Sequence, residues 1–180
     1  MESLRRICSF VPLIAVVFAF PLCADTAAVT QLVSVSISPV GIVTFPAQVN
    51  LVPGGLAFSA FSGTLAFSFN ARTTRLGSGS ITVKANGDFA PAGAFSVAGG
   101  QLTYTCSSGG YGTPCSGTQT VSSSSQTPVL TIGANACTGG GGLCSSADPA
   151  TASVMFSLPN SVSLETGTYT LQLTFTISCL

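Results

Sequence analysis

Along most of the chain, apolar side chains recur at every second position in short runs cut by Gly, Pro, Asn and Ser. This period of two predicts β-strands with one buried face. Val29, Gln31, Val33, Val35 and Ile37 alternate with Thr30, Leu32, Ser34 and Ser36, and the run stops at Pro39. Short runs at 41–45 (GIVTF) and 49–52 (VNLV) follow. Leu65, Phe67 and Phe69 alternate with Thr64, Ala66, Ser68 and Asn70, and Ile81, Val83 and Ala85 with Ser80, Thr82 and Lys84. Asn86-Gly87 is then expected to supply the positive φ angles of a tight turn. Phe95-Ser96-Val97 and Leu102-Thr103-Tyr104 continue the pattern. Ser107 to Ser125 reads as loop with one short strand near Thr118–Val121, and Pro128–Ile132 reads as a strand. Val154, Phe156 and Leu158 form another. The last run is the clearest: Tyr169, Leu171, Leu173, Phe175 and Ile177 share one face, and Thr168, Thr170, Gln172, Thr174 and Thr176 the other.

Eight to ten such strands predict an all-β fold of two packed antiparallel sheets. No helical periodicity appears after residue 28, and no repeat of 20 to 50 residues points to a solenoid or propeller.

The N-terminus follows a different rule. Arg5 and Arg6 precede 18 uncharged residues, Ile7 to Ala24, richest in large apolar side chains between Phe10 and Phe20. A basic start, a short apolar stretch and small residues after it predict a secretory signal peptide over 1–24, with 25–180 as a single sandwich domain. A permanent anchor is the competing reading; Pro12 and Pro21 interrupt the run, and no basic stop-transfer cluster follows. Cleavage after Ala24 leaves five cysteines: Cys106, Cys115, Cys137, Cys144 and Cys179. Cleavage after Ala19 retains Cys23 and leaves six. Lipidation of Cys23 is disfavoured by Leu22, where that signal wants a small residue. Export places the product outside the cytoplasm, secreted or in a cell envelope.

Cysteines in an exported chain are normally paired. Cys106 and Cys115 bracket SSGGYGTP, and Cys137 and Cys144 bracket TGGGGL, turn-rich segments able to close on themselves. Two local disulfides are expected. A four-cysteine metal site is the rival, but no Cys-x-x-Cys pair supports it. Cys179 is then unpaired, bonded to Cys23, or bonded to another molecule.

Charge narrows the function. The chain has 5 Lys+Arg, 5 Asp+Glu and no His or Trp. Residues 25–180 carry only Arg72, Arg75 and Lys84 against Asp25, Asp88, Asp148 and Glu165, while Ser, Thr and Gly supply 64 of those 156 residues. An ordinary domain is about 25% charged. Nucleic-acid binding, which depends on Lys and Arg at phosphates, is excluded as an expectation. Without His, the remaining bases are Lys84, Asp88, Asp148 and Glu165. Asp88 after Asn86-Gly87 and Asp148 before Pro149 both have the look of turn residues. No catalytic, metal or cofactor residue is assigned.

The run ARTTRLGSGSITVKANGDFAPAGAFSVAGGQLTYT, with GTYTLQLTFTIS near the C-terminus, resembles bacterial extracellular WxL-type surface domains and related pilin-like sandwiches. The matching residues are Gly77, Gly79, Ile81, Val83, Asp88, Phe89, Leu102, Thr103, Tyr104, Gly167, Thr168 and Tyr169. The resemblance covers about a third of the chain and implies an immunoglobulin-like sandwich on a bacterial surface. It does not carry over cell-wall attachment, which that family ascribes to Trp-x-Leu motifs absent here.

Several features have a special and an ordinary reading. Arg72 and Arg75 are either an anion clamp or solvated strand ends, and Gly139–Gly142 either an anion cradle or slack loop. The Thr face of the last run is either an ordered-water surface or β-favouring solvent face. Val29–Ile37 is either an ordinary first strand or a donor strand added to a neighbour's sheet. The expected function is that of a non-catalytic structural or adhesive protein, with other envelope proteins or its own copies as partners. A fimbria-like subunit exchanging its N-terminal strand is the alternative, and a carbohydrate-binding module using Tyr104, Tyr111 and Tyr169 the second.

Overall fold

A computed structural model describes residues 31–73, 77–133 and 149–180. Contacts group the chain into two units, Met1–Val35 and Ser36–Leu180. In the first, the described residues Gln31–Val35 belong to no strand or helix, and Leu32, Val33 and Val35 are exposed.

The second unit is an antiparallel β-sandwich. Its strands are β1 (Val40–Thr44), β2 (Val52–Pro53), β3 (Phe61–Arg72), β4 (Gly79–Ala85), β5 (Thr103–Ser108), β6 (Thr113–Pro114), β7 (Gln119–Thr120), β8 (Thr127–Ile132), β9 (Ala150–Leu158) and β10 (Leu173–Cys179). One sheet has the order β1-β3-β9-β5-β7, with β2 also on β3; the other has the order β10-β4-β8-β6.

The core follows directly from the alternation. Leu65, Phe67, Phe69 and Ala71 of β3, Ala152, Val154, Phe156 and Leu158 of β9, and Ile81, Val83 and Ala85 of β4 are all buried. Register matches large to small side chains: Phe67 lies opposite Ala152, Phe69 opposite Ala150, and Phe156 opposite Gly63. A Cβ on Gly63 would come 2.8 Å from Leu51 Cδ2 and closer still to the Asn50 carbonyl, so only glycine lets that connection cross β3 there.

Four local expectations need correction. The strand expected at Val29–Ile37 is absent from its described part, Gln31–Ile37, and pairing starts only at Val40, after Pro39. Phe95 and Val97 are buried but belong to no strand, because Gln101 and Asp88 take up the Ser96 and Val97 N–H groups that a ladder would use. Asn86 and Gly87 do not adopt positive φ. Asn86 N–H instead donates to the Gln172 carbonyl at 2.9 Å, extending the β4–β10 ladder rather than closing a hairpin. The final strand starts at Leu173 and not at Tyr169; Thr170 makes a lone bridge to Ala90.

One irregularity explains a break in alternation. Val129 and Leu130 are adjacent yet both buried, because β8 pairs Leu130 with Ile81 and Pro128 with Thr82, leaving Val129 as an extra residue. A bulge of this kind turns two consecutive side chains toward the core and accommodates Pro128, which has no N–H.

Candidate functional site: two margins of a sparsely charged sandwich

On one side of the sandwich, covalent and polar links join the sheets. Cys106 of β5 bonds Cys115, the residue after β6, with Cα atoms 5.4 Å apart. This is the pairing that the spacing suggested, and it connects the two sheets. Cys115 N–H donates to the Val129 carbonyl, Ala85 N–H to Ser122, and Val121 N–H to Leu102. The Tyr104 hydroxyl donates to the Pro128 carbonyl at 2.7 Å and lies 2.9 Å from Thr127 Oγ1, so a β5 side chain reaches β8 across the core. Burial pushes its phenol pKa up, and the Thr127 contact opposes that in part. Cys137 and Cys144 lie outside the described residues, as do Cys23 and the 1–24 segment.

The opposite side is built from β1 and β10. Gly41 of β1 faces Ile177 and Cys179; a Cβ there would sit 2.8 Å from Ile177 Cγ1. The Phe45 ring, just past β1, lies 4.3 Å from that of Phe175. No residue of β10 is fully buried, whereas Ile81 and Val83 on its neighbour β4 are 0% exposed. Cys179 is a free, half-buried thiol. Burial raises its pKa, against a smaller lowering by a hydrogen bond from the Arg72 backbone. Sequence reasoning missed this side, since alternation tells which residues point inward but not which strand lacks a neighbour. The available signal was that 171–178 contains no Lys, Glu or Pro.

The remaining candidates do not converge. Asp88 organises its own loop: Oδ1 accepts from Val97 N–H at 2.7 Å and Phe89 N–H at 2.9 Å, and Oδ2 from Ser96 Oγ at 2.9 Å. The Val97 and Phe89 amides hold its carboxyl below the usual value. A shallow depression beside it is lined by Phe89, Phe95, Ser96 and Gln101. Arg72 Nε donates to the Ser38 carbonyl at 2.9 Å; Arg75, Asp148 and Gly139–Gly142 are outside the described residues. Glu165 is exposed, and its carbonyl accepts the Tyr169 hydroxyl. Among the described residues, no three His, Cys, Asp or Glu side chains cluster as a metal site.

The tyrosines do not make an exposed platform. Tyr104 and Tyr111 are buried, the latter accepting the Ala71 N–H at 2.7 Å. The hydroxyls along β10 have neighbours of their own: Gln126 bridges Thr82 and Thr176, and Thr174 donates to Asn86.

The outer face of the first sheet is uncharged over three cross-strand rows. Thr103, Ser157 and Ser62 form one, Thr105, Met155 and Thr64 the next, and Ser107, Ser153 and Ala66 the third. No protein-family model and no curated protein matches the chain.

Proposed function

We propose that the chain is a non-catalytic, exported β-sandwich serving as a structural or adhesive component of a bacterial envelope or extracellular surface. The observation that carries this reading is the outer face of the first sheet: its rows across β5, β9 and β3 expose Ser, Thr, Ala and Met and no charged side chain. Such a face forgoes the like-charge repulsion that keeps soluble proteins apart. The disulfide between Cys106 and Cys115 suits an oxidising compartment. Fractionation of producing cells tests the proposal: the protein is expected in the envelope or extracellular fraction, retained on a surface. Recovery in the cytoplasm, or as a freely washed monomer with no affinity for any surface, overturns it. Intact mass before and after reduction fixes the N-terminus and counts the bridges, including any at Cys137, Cys144 or Cys179.

A second reading, subunit assembly by strand exchange, is favoured by the N-terminal segment. Leu32, Val33, Val35 and Ile37 are 90%, 89%, 82% and 66% exposed. Solvated apolar alternation of this kind is stabilised by addition to a sheet edge. Deleting 31–37 is expected to abolish assembly and leave a folded monomer; unchanged assembly eliminates the reading.

A further inference from the structure

We propose that the free edge of β10 is the acceptor for Gln31–Ile37 of a second copy of this chain; this rests on the strand-exchange reading above. Among the described residues β10 pairs with β4 alone. The β4–β10 register pairs Thr174 with Lys84, Thr176 with Thr82 and Ser178 with Ser80. Beyond its two ends, Asn86 N–H donates to Gln172 and Leu180 N–H to Ser78. Because hydrogen-bonded and non-bonded pairs alternate in an antiparallel ladder, the even-numbered residues face β4. Leu173, Phe175 and Ile177 therefore direct their N–H and C=O groups to the open edge. Their side chains point inward yet are only half-buried, so a further strand at this edge removes apolar area from water as it fills the ladder.

The other edges are shorter. β1 has five residues, and β6 and β7, on the side that carries the disulfide, have two each. β10 has seven residues, none charged and none Pro, so it lacks the devices that normally blunt an edge. Gln31–Ile37 matches it in length, in absence of charge and Pro, and in period, with Val33, Val35 and Ile37 on one face of an extended strand.

The donor comes from another molecule because of how the chain enters β1. Phe45 lies against Phe175 and Gly41 against Ile177 and Cys179, so the chain preceding β1 leaves past the Cys179 end of β10. Only Ser38 and Pro39 separate Ile37 from β1, so lying along its own β10 requires a two-residue reversal there. The Ser38 carbonyl is held by Arg72, and proline at the second central position of such a turn forces the residue before it out of the helical region.

Residue-resolved amide exchange on the purified full chain, dilute and concentrated, tests the assignment. In the assembled state the Leu173, Phe175 and Ile177 amides are expected to exchange at least about tenfold more slowly, with Thr174 and Thr176 unchanged. The double variant Val33→Asp/Val35→Asp, altered only at exposed positions, is expected to lose that gain. Assembly without slowing at these three amides overturns the β10 assignment and leaves strand exchange to another edge. Absence of assembly at every concentration overturns the strand-exchange reading itself. Equal protection in a dilute monomer overturns the second-copy donor in favour of self-complementation.

Discussion

The two sides of this sandwich solve the same problem differently. Where β5, β6 and β8 meet, a disulfide, a cross-core tyrosine and loop hydrogen bonds tie the layers together. Where β1 and β10 meet, aromatic and aliphatic contacts join them beside a hydrogen bond from the Arg72 backbone to Cys179, and every inward residue of β10 keeps some exposure. One margin is cross-linked covalently, while at the other, among the described residues, one edge of β10 has no partner strand and its inward side chains stay part-exposed. The covalent cross-link and the edge proposed for association thus lie at opposite margins.

Register partners offer the sharpest way to break this contrast. Ile81 and Ile177 lie opposite each other on β4 and β10, the first 0% exposed and the second half-buried. Ile81→Ala is expected to destabilise by about 3 kcal/mol and Ile177→Ala by about 1 kcal/mol, read from denaturant midpoints. Equal losses would erase the distinction between the margins. Next in size is the pair Cys106→Ser/Cys115→Ser, expected to cost about 2 to 3 kcal/mol through the unfolded state. The same variant is expected to leave the association proposed for β10 unchanged, read from the amide protection of Leu173, Phe175 and Ile177. Tyr104→Phe removes the hydroxyl that reaches the Pro128 carbonyl, with an expected cost of about 1 kcal/mol in thermal or chemical unfolding.

The smallest effect concerns pH. Asp88 has its carboxyl pKa lowered in the fold, chiefly by the Val97 amide, so its contribution is present above the ordinary carboxyl value and lost as pH falls through the lowered one. Acidification through that range is expected to lower the protection factors of the Phe89 and Val97 amides, taken against the intrinsic exchange rate at each pH, while leaving β3 and β9 protected. In Asp88→Ala these two amides should exchange quickly at neutral pH, with no such acid dependence.

Much of the sandwich was legible because β3, β4 and β9 are flanked on both sides, and alternation there reports burial faithfully. It misled at Val29–Ile37, where an equally regular pattern has no partner strand in its described part. Periodicity records which face is meant for burial, not whether the burying surface belongs to the same molecule. Phe95 and Val97 show a second limit, since a carboxylate eight or nine residues from its partners in sequence replaced ladder hydrogen bonds. The bulge at Val129 was hidden because an inserted residue breaks the count on which the period depends. Cys106 and Cys115 were legible because a short turn-rich loop leaves few other ways to pair them.

The hydroxyl rows on the outer face of the first sheet also govern how the molecule meets water. A surface without fixed ions gathers no counterion cloud, so dissolved salt has nothing there to screen. Association through Thr105, Thr64, Ser107 and Ser153, which the proposed function calls for, is therefore expected to vary little between low and physiological ionic strength.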